Sequence, residues 1–350
     1  MTAVTPDLRP LTLGEIIDRA VRLYRHNFAN FIGIIALVQV PLSIIQLLLT
    51  VYNSNKVVSA PSQFTSSQQI LDYLANSGYL DRFGIQLLLM LISFILVQGV
   101  ATAALTRAVA DNYLGRKTDM IEAYQRVGGA WLRLIGVIIL MVFVYIALSI
   151  WLIIPCIGWI SGPGILVYVA LVLGPLIAPV VVLENLGAGA IRRAWELVRR
   201  RFWWALGFMV ILTLFNQLIV AGPSTLVNLF LTYALKNQSA ENYYIVRTLA
   251  QSLVSLATSL FFLPLQLAAV TLMYFDLRVR TEGFDLAILA ATAPNGDASA
   301  IASQGGPSVP TPLITGNELG NFVLLSLLGI GGACLISVLF QTLFMSLYSF

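Results

Sequence analysis

Side chains able to do acid–base or metal chemistry are few in this sequence and poorly placed for it. Hydrolysis of an ester or phosphodiester needs a converging set of bases, nucleophiles or metal ligands, yet the chain has one histidine, His26, among arginines at the end of a charged segment. An interface role suits it better than a catalytic one. Three acids, Asp111, Glu184 and Asp276, each stand at the exit of an apolar run. They form either a polar ring at the inner membrane face or, in the plainer reading, helix-end caps paired with neighbouring arginines. The amides Gln39, Gln46, Gln86, Gln98, Asn216, Gln217, Asn228, Gln251 and Gln266 fall inside apolar runs, where polar groups face a bundle interior and hold helices together or line a path. No acid, Lys or Arg lies securely in the middle of such a run, which disfavours ion-coupled transport. Cys156, at a membrane edge, and Cys334, inside an apolar run, have no metal or redox spacing and read as packing residues. No catalytic, cofactor-binding or metal-ligating residue is assigned.

The elements that would hold these groups follow from composition. Of 350 residues 58% are hydrophobic and only 10% charged, with a mean hydropathy of +0.86, whereas a soluble domain is roughly half apolar and about a quarter charged. The chain reads as an all-α integral membrane protein. A net charge of +4 and a pI near 9.1 do not point to nucleic acid, because the cations cluster beside hydrophobic runs and so mark orientation.

One design recurs at the edge of these runs. In the stretch from Leu186 to Trp204, Ile191, Ala194, Trp195, Val198 and Phe202 fall on one helical stripe while Arg192, Arg193, Glu196, Arg199 and Arg200 take the opposite face, giving a short basic amphipathic helix. Ile17, Ala20, Val21, Tyr24 and Phe28 repeat the offsets with Asp18, Arg19, Arg22 and Arg25 opposite. A further copy runs through Met120, Ala123, Tyr124, Val127 and Trp131. The small residue (Ala20, Ala123, Ala194) and the terminal aromatic recur in place, so the chain reads as three repeats of interfacial helix plus helical hairpin, starting near 13, 118 and 186. The residues expected to pack are Ala20, Ala123, Ala194, Tyr24, Trp131, Trp195 and Phe202. Arg19, Arg22, Arg25, Arg192, Arg193, Arg199 and Arg200 are expected to meet anionic lipid headgroups, at about 1 kcal/mol per basic residue near such a surface.

In chain order, a charged helix precedes the first apolar run, the wrong shape for a cleavable signal, and Thr12 with Glu15 forms a capping box that starts it near Leu13. Six core spans are expected at about 28–51, 83–109, 132–154, 164–183, 203–220 and 249–275. Kinks are expected at Pro41, Pro175 and Pro179, a tight turn over Pro155, Gly158, Gly162 and Pro163, and breaks at Gly222-Pro223 and at Pro264. An outer loop over 53–82 carries a short surface helix at Ile70, Leu71, Tyr73 and Leu74, and Leu226 to Leu235 is an extension or an outer-surface helix. Phe284, Ala287, Ile288 and Ala291 faintly echo the repeat. Residues 1–290 thus make a polytopic membrane domain, 291–318 a disordered linker, and 319–350 a seventh, C-terminal transmembrane helix whose Gly329, Gly331, Gly332 and Ala333 allow close contact. The side bearing the N-terminus and the interfacial helices holds sixteen of the 20 cations, while Lys56, Arg82, Lys236 and Arg247 are opposite. The interfacial helices and the N-terminus are therefore expected to be cytoplasmic.

Three phrases, LTLGEIIDRAVRLYRHNF, VLENLGAGAIRRAWELVRRRFWW and MYFDLRVRTEGFDLAIL, in that order, resemble the glycerophosphoryl diester phosphodiesterase membrane-domain family of bacterial multi-pass proteins, over roughly residues 8 to 290. The resemblance implies a bacterial cell-membrane protein associated with lipid metabolism. Some relatives fuse such a module to a soluble phosphodiesterase barrel. This sequence has no soluble stretch for a barrel of about 250 residues and a single histidine, so no catalytic residue carries over. The implied function is a non-catalytic membrane module that binds lipid or a membrane or cytoplasmic protein partner. The alternative is a transporter or channel for a small or lipid-like solute, and a membrane-embedded hydrolase comes third.

Overall fold

Thr12 and Glu15 set the first helix, α1 (Leu13–His26): the Thr12 hydroxyl accepts from the Glu15 N–H at 3.4 Å and the Glu15 carboxylate accepts from the Thr12 N–H at 2.7 Å. Both orphan donors of the helix start are met, as in a capping box. The computed structural model describes residues 9–57, 68, 78–236, 240–286 and 315–331, and every regular element among them is helical. The expected surface helix at Ile70 to Leu74, the linker from 291 to 314, Cys334, the repeat echo beyond Leu286 and the last part of the seventh span lie outside the described residues. Residues 316–331 are helical, so the expected linker gives way to helix before 318.

After α1 come α2 (Phe28–Val57), α3 (Tyr79–Phe94), α4 (Thr102–Tyr113), α5 (Met120–Val127), α6 (Ala130–Trp151), α7 (Ile157–Tyr168), α8 (Gly174–Glu184), α9 (Gly189–Val198), α10 (Phe202–Asn216), α11 (Gly222–Ala234) and α12 (Ala240–Glu282). Among the described residues six helical stretches are long and apolar enough to cross a membrane: Phe28–Tyr52, Asp81–Tyr113, Ala130–Trp151, Ile157–Glu184, Gly189–Ala234 and Ile245–Glu282. Leu48, Met90, Phe143, Ile150, Leu218 and Phe230 are exposed on them, an arrangement that suits lipid and not water.

Several proline expectations are corrected. Pro223 does not break its span, and Pro175, expected to kink the fourth span, lies inside one continuous helical stretch, Ile157–Glu184. A proline ring strikes the carbonyl four residues back, here Leu171 and Ile219, and both lie in π-helical turns, Val169–Leu173 and Gln217–Ala221, where the wider turn makes room. The chain therefore runs helically from α10 through Leu226 to α11, which is an extension of the span. Pro264 lies inside the continuous 43-residue α12 and does not interrupt it. The turn after α6 is also shorter than expected, with α7 starting at Ile157. Glycine explains this: a Cβ on Gly158 would come within 2.1 Å of the Trp151 carbonyl, and one on Gly162 within 2.5 Å of Leu152, so both glycines are spent on a close helix approach and not on the turn. Cys156 takes the turn position at φ 64° and is exposed; it is not a packing residue.

The chain divides into two units, one of residues Met1–Ile135 with Ile211–Asp276 and one of Gly136–Val210 with Leu277–Phe350. Unit 1 buries Ile16, Phe31, Ile34, Leu105 and Phe275, and unit 2 buries Tyr168, Leu176 and Val198. In unit 2 the helix at 316–331 docks by Phe322. That ring lies 5.3 Å from Phe202, 5.7 Å from Tyr168 and 5.8 Å from Trp195 between centroids, and Ser326 Oγ accepts the Gly164 N–H at 2.6 Å.

Candidate functional site

The three exit acids are buried, and each is tied to a short amphipathic helix or to the residues that lead into one. In unit 1, Asp111 in the last turn of α4 accepts from Arg126 of α5 at 3.2 Å and from the Thr118 hydroxyl at 3.3 Å, with Arg107 at 3.6 Å. Asp276 of α12 accepts the N–H of Leu11, just ahead of α1, at 2.7 Å. In unit 2, Glu184 at the end of α8 takes two hydrogen bonds from Arg193 of α9, at 2.8 and 3.2 Å. Arg193 also contacts Glu282, and Arg278 bridges Glu282 at 3.0 Å while stacking over Phe284 at 4.4 Å. These carboxylates hold charge-assisted or backbone hydrogen bonds, the chemistry of a brace.

The seven candidate lipid-facing arginines split. Arg22 and Arg192 are exposed and pair within their own helices with Asp18 at 2.6 Å and Glu196 at 2.9 Å, Arg25 and Arg200 are exposed, and Arg19 is half-buried. Arg193 and Arg199 depart from the expected cationic face, Arg193 turning to the carboxylates above and Arg199 to Glu318 at 3.2 Å. Glu282 and Glu318 lie far along the chain, so the periodicity around Arg193 and Arg199 carried no sign of them.

Ala20, Ala123 and Ala194 are fully buried, Tyr24, Trp195 and Phe202 are buried, and Trp131 is half-buried. The stripe is not one uninterrupted helix in any copy. Asn27 caps α1, Gly128 at φ 49° ends α5, and a 3₁₀ turn over Arg199–Arg201 ends α9, so the last aromatic of each stripe belongs to the following span. On α1 the buried line is Ile16, Ala20 and Tyr24, while Ile17 is half-buried and Phe28 exposed. Burial pushes the phenols of Tyr24 and Tyr124 up to about 12, and Tyr124 donates to the Ile34 carbonyl of α2 at 2.5 Å. His26 is exposed at the end of α1. Among the described residues no group of three His, Cys, Asp or Glu side chains gathers as metal ligands would.

The amides also divide. Gln98 and Gln217 are exposed on their helices, whereas the half-buried Gln39, Gln46 and Gln251 and the exposed Gln86 converge with Ser43, Thr50, Ser252, Ser255, Leu47 and Leu256 around a cavity of about 370 Å³ in unit 1, between α2, α3 and α12. Gln39 Nε2 donates to Ser259 at 2.6 Å, Gln46 Nε2 to Ser93 at 2.8 Å, and Asn228 Nδ2 to Gln251 at 3.1 Å. On α12 the cavity residue Gln251 and the brace residue Asp276 are separated by roughly 37 Å of helix at about 1.5 Å per residue, so this cavity and the braces of unit 1 occupy opposite ends of the helix. Each amide was visible in the sequence as a polar residue in an apolar run; their meeting at one place was not, because they come from three separate helices. Compared with known proteins, the chain matches no family model, no curated protein and no solved structure.

Proposed function

We propose that this chain is a non-catalytic multi-pass module of a bacterial cytoplasmic membrane, its N-terminus inside, that binds a lipid or lipid-like ligand and serves membrane lipid metabolism. The observation that carries this reading is the unit 1 cavity. Helices apolar enough to span a bilayer converge there on uncharged hydrogen-bonding side chains, and polar groups in hydrocarbon are kept for helix association or for ligands. The buried acids support binding over turnover, because each is already held by a guanidinium, a hydroxyl or a backbone N–H and a general acid or base must be able to reach substrate. The three interfacial helices act as one recurring device, an amphipathic segment braced to a span end by a buried acid. Arg22, Arg25, Arg192 and Arg200 offer anionic headgroups a cationic border. The resemblance of the chain to the glycerophosphoryl diester phosphodiesterase membrane-domain family supplies the link to lipid metabolism.

Transport is the second reading, favoured by the π-helical turns that lie within spans at Ile95–Ala101, Val169–Leu173 and Gln217–Ala221, since such turns recur at functional sites. Both readings meet one experiment. The chain is extracted from membranes in mild detergent, its retained lipids are identified by mass spectrometry, and release of glycerol 3-phosphate from glycerophosphocholine is assayed with calcium or magnesium added. Enrichment of one lipid class without turnover is expected. Metal-dependent turnover abolished by His26→Ala would defeat the non-enzymatic reading, and solute uptake into proteoliposomes would favour transport.

A further inference from the structure

We infer that the unit 1 cavity takes an uncharged, hydroxyl-rich group, an inference that rests on reading the chain as a binding module. The polarity of one wall is fixed by Arg247, whose guanidinium has donors only. Its Nε lies 3.0 Å from Asn228, so the atom it meets is Oδ1, and Asn228 is left with Nδ2 to give to Gln251 Oε1 at 3.1 Å. Gln251 therefore keeps its Nε2, a donor, for the cavity that it lines. A second wall follows from Ser259. Its hydroxyl donates to the Leu256 carbonyl at 3.0 Å and accepts from Gln39 Nε2 at 2.6 Å. Gln39 Oε1 is then an acceptor, and it is buried with no hydrogen-bond partner among the described residues.

Buried amide oxygens are rarely left unpaired in folded proteins, and Gln39 lines the cavity, so a small turn of its side chain would bring Oε1 to a donor held there. The lining thus presents a set donor and a set acceptor, together with the hydroxyls of Ser43, Ser252 and Ser255, which serve as either. Among the described residues no charged side chain lines the cavity. A phosphate or ammonium group would find no counter-charge in that lining, Arg247 being engaged by Asn228, and a purely apolar group would strand the amides. A hydroxyl donates and accepts, so a compact group carrying several of them answers every position. The volume, about 370 Å³, falls within the roughly 300–1,000 Å³ of small-molecule sites. This chemistry is shared by the headgroup of a neutral glycolipid and by a free sugar or polyol.

The test uses the full chain in phosphatidylcholine nanodiscs, titrated separately with monoglucosyl diacylglycerol, phosphatidylglycerol and free glucose, with thermal stability and native mass spectrometry as readouts. Saturable binding of the glucolipid or of glucose is expected, and whichever responds identifies the source as bilayer or water. Gln39→Leu and Gln251→Leu are each expected to weaken that binding at least about tenfold. Gln39→Leu deletes an unmet acceptor together with the bond to Ser259, so the unliganded Tm should change little; a large drop would make Gln39 helix glue and overturn the assignment. If Gln251→Leu does not fold, Ser255→Ala replaces it, with weaker binding again expected. Binding that persists unchanged in these variants overturns the site. Response to phosphatidylglycerol alone overturns the ligand class but leaves the binding module standing, whereas no response to any of the three, with only water in the cavity, defeats both.

Discussion

Gly164→Ala should loosen the helix at 316–331 from unit 2, and the geometry sets the size of the effect. A Cβ on Gly164 would sit 2.1 Å from the Phe322 carbonyl oxygen, 3.0 Å from its carbon and 2.7 Å from Ser326 Oγ. Unstrained contacts need about 3.5 Å, so backbone has to retreat by more than 1 Å. Such a gap forfeits at least a quarter to a half of the dispersion energy across it. Phe322 meets three aromatic rings, each worth about 0.5–1.5 kcal/mol beyond area burial, and the Gly164 N–H bond to Ser326 is worth about 1 kcal/mol. Weakening all of these together gives a destabilisation of about 2–4 kcal/mol. Phe322→Ala should lose about 3–5 kcal/mol. Because both changes act on one contact, the double variant should fall short of the sum by at least about 1 kcal/mol. Gly320 on the same helix has open space around it, so Gly320→Ala should be neutral or gain up to about 1 kcal/mol. Denaturant titration in detergent, followed by tryptophan emission, measures all four. Strict additivity, or a Gly164→Ala protein as stable as Gly320→Ala, would refute this docking.

Other outcomes follow from the braces, the cap and the cation distribution. Asp111→Asn removes the charge facing Arg126 and Arg107, both partly exposed, and should destabilise by about 1–3 kcal/mol, less so in an Arg126→Gln background; equal losses in both backgrounds would show that the pair does not brace α5. The Thr12 backbone N–H, with help from the Thr12 hydroxyl and Arg9, holds the Glu15 carboxyl below its ordinary value near 4.5. A depressed folded value means that its stabilisation is present above the unfolded pKa and is lost as pH falls through the folded one, so the protection of amides at the start of α1, relative to their intrinsic exchange, should fall in acid, and Glu15→Gln should abolish that pH dependence. Single cysteines at Ser66 and at Ser303, in a background lacking Cys156 and Cys334, should react with an impermeant maleimide on intact cells at Ser66 alone; the opposite pattern would reverse the proposed orientation.

What could be read from sequence was local. The Thr12–Glu15 box needs only a spacing of three, and it stands where expected. Helix type and the six spans follow from long apolar runs. Proline was read too strictly, because the sequence shows the missing donor at Pro223 but not the π turn that relieves it. Arginine was misjudged at Arg193 and Arg199 because Glu282 and Glu318, which draw them inward, sit on other helices. The cavity was the least legible feature. Gln39, Gln46, Gln86 and Gln251 look alike as polar residues in apolar runs, with Gln98 and Gln217 among them, and only packing decides which four share a space.

The central claim is that this space holds a chosen ligand, and site-specific photo-crosslinking in native membranes tests it most directly. A benzophenone side chain replacing Leu256, which lines the cavity, is compared with one replacing Leu253 on the exposed face of the same helix. The account predicts one dominant adduct class at position 256, uncharged and rich in hydroxyls, against a mixture mirroring bulk lipid at position 253. The same bulk mixture at both positions, or no adduct at position 256 while position 253 reacts, would contradict it.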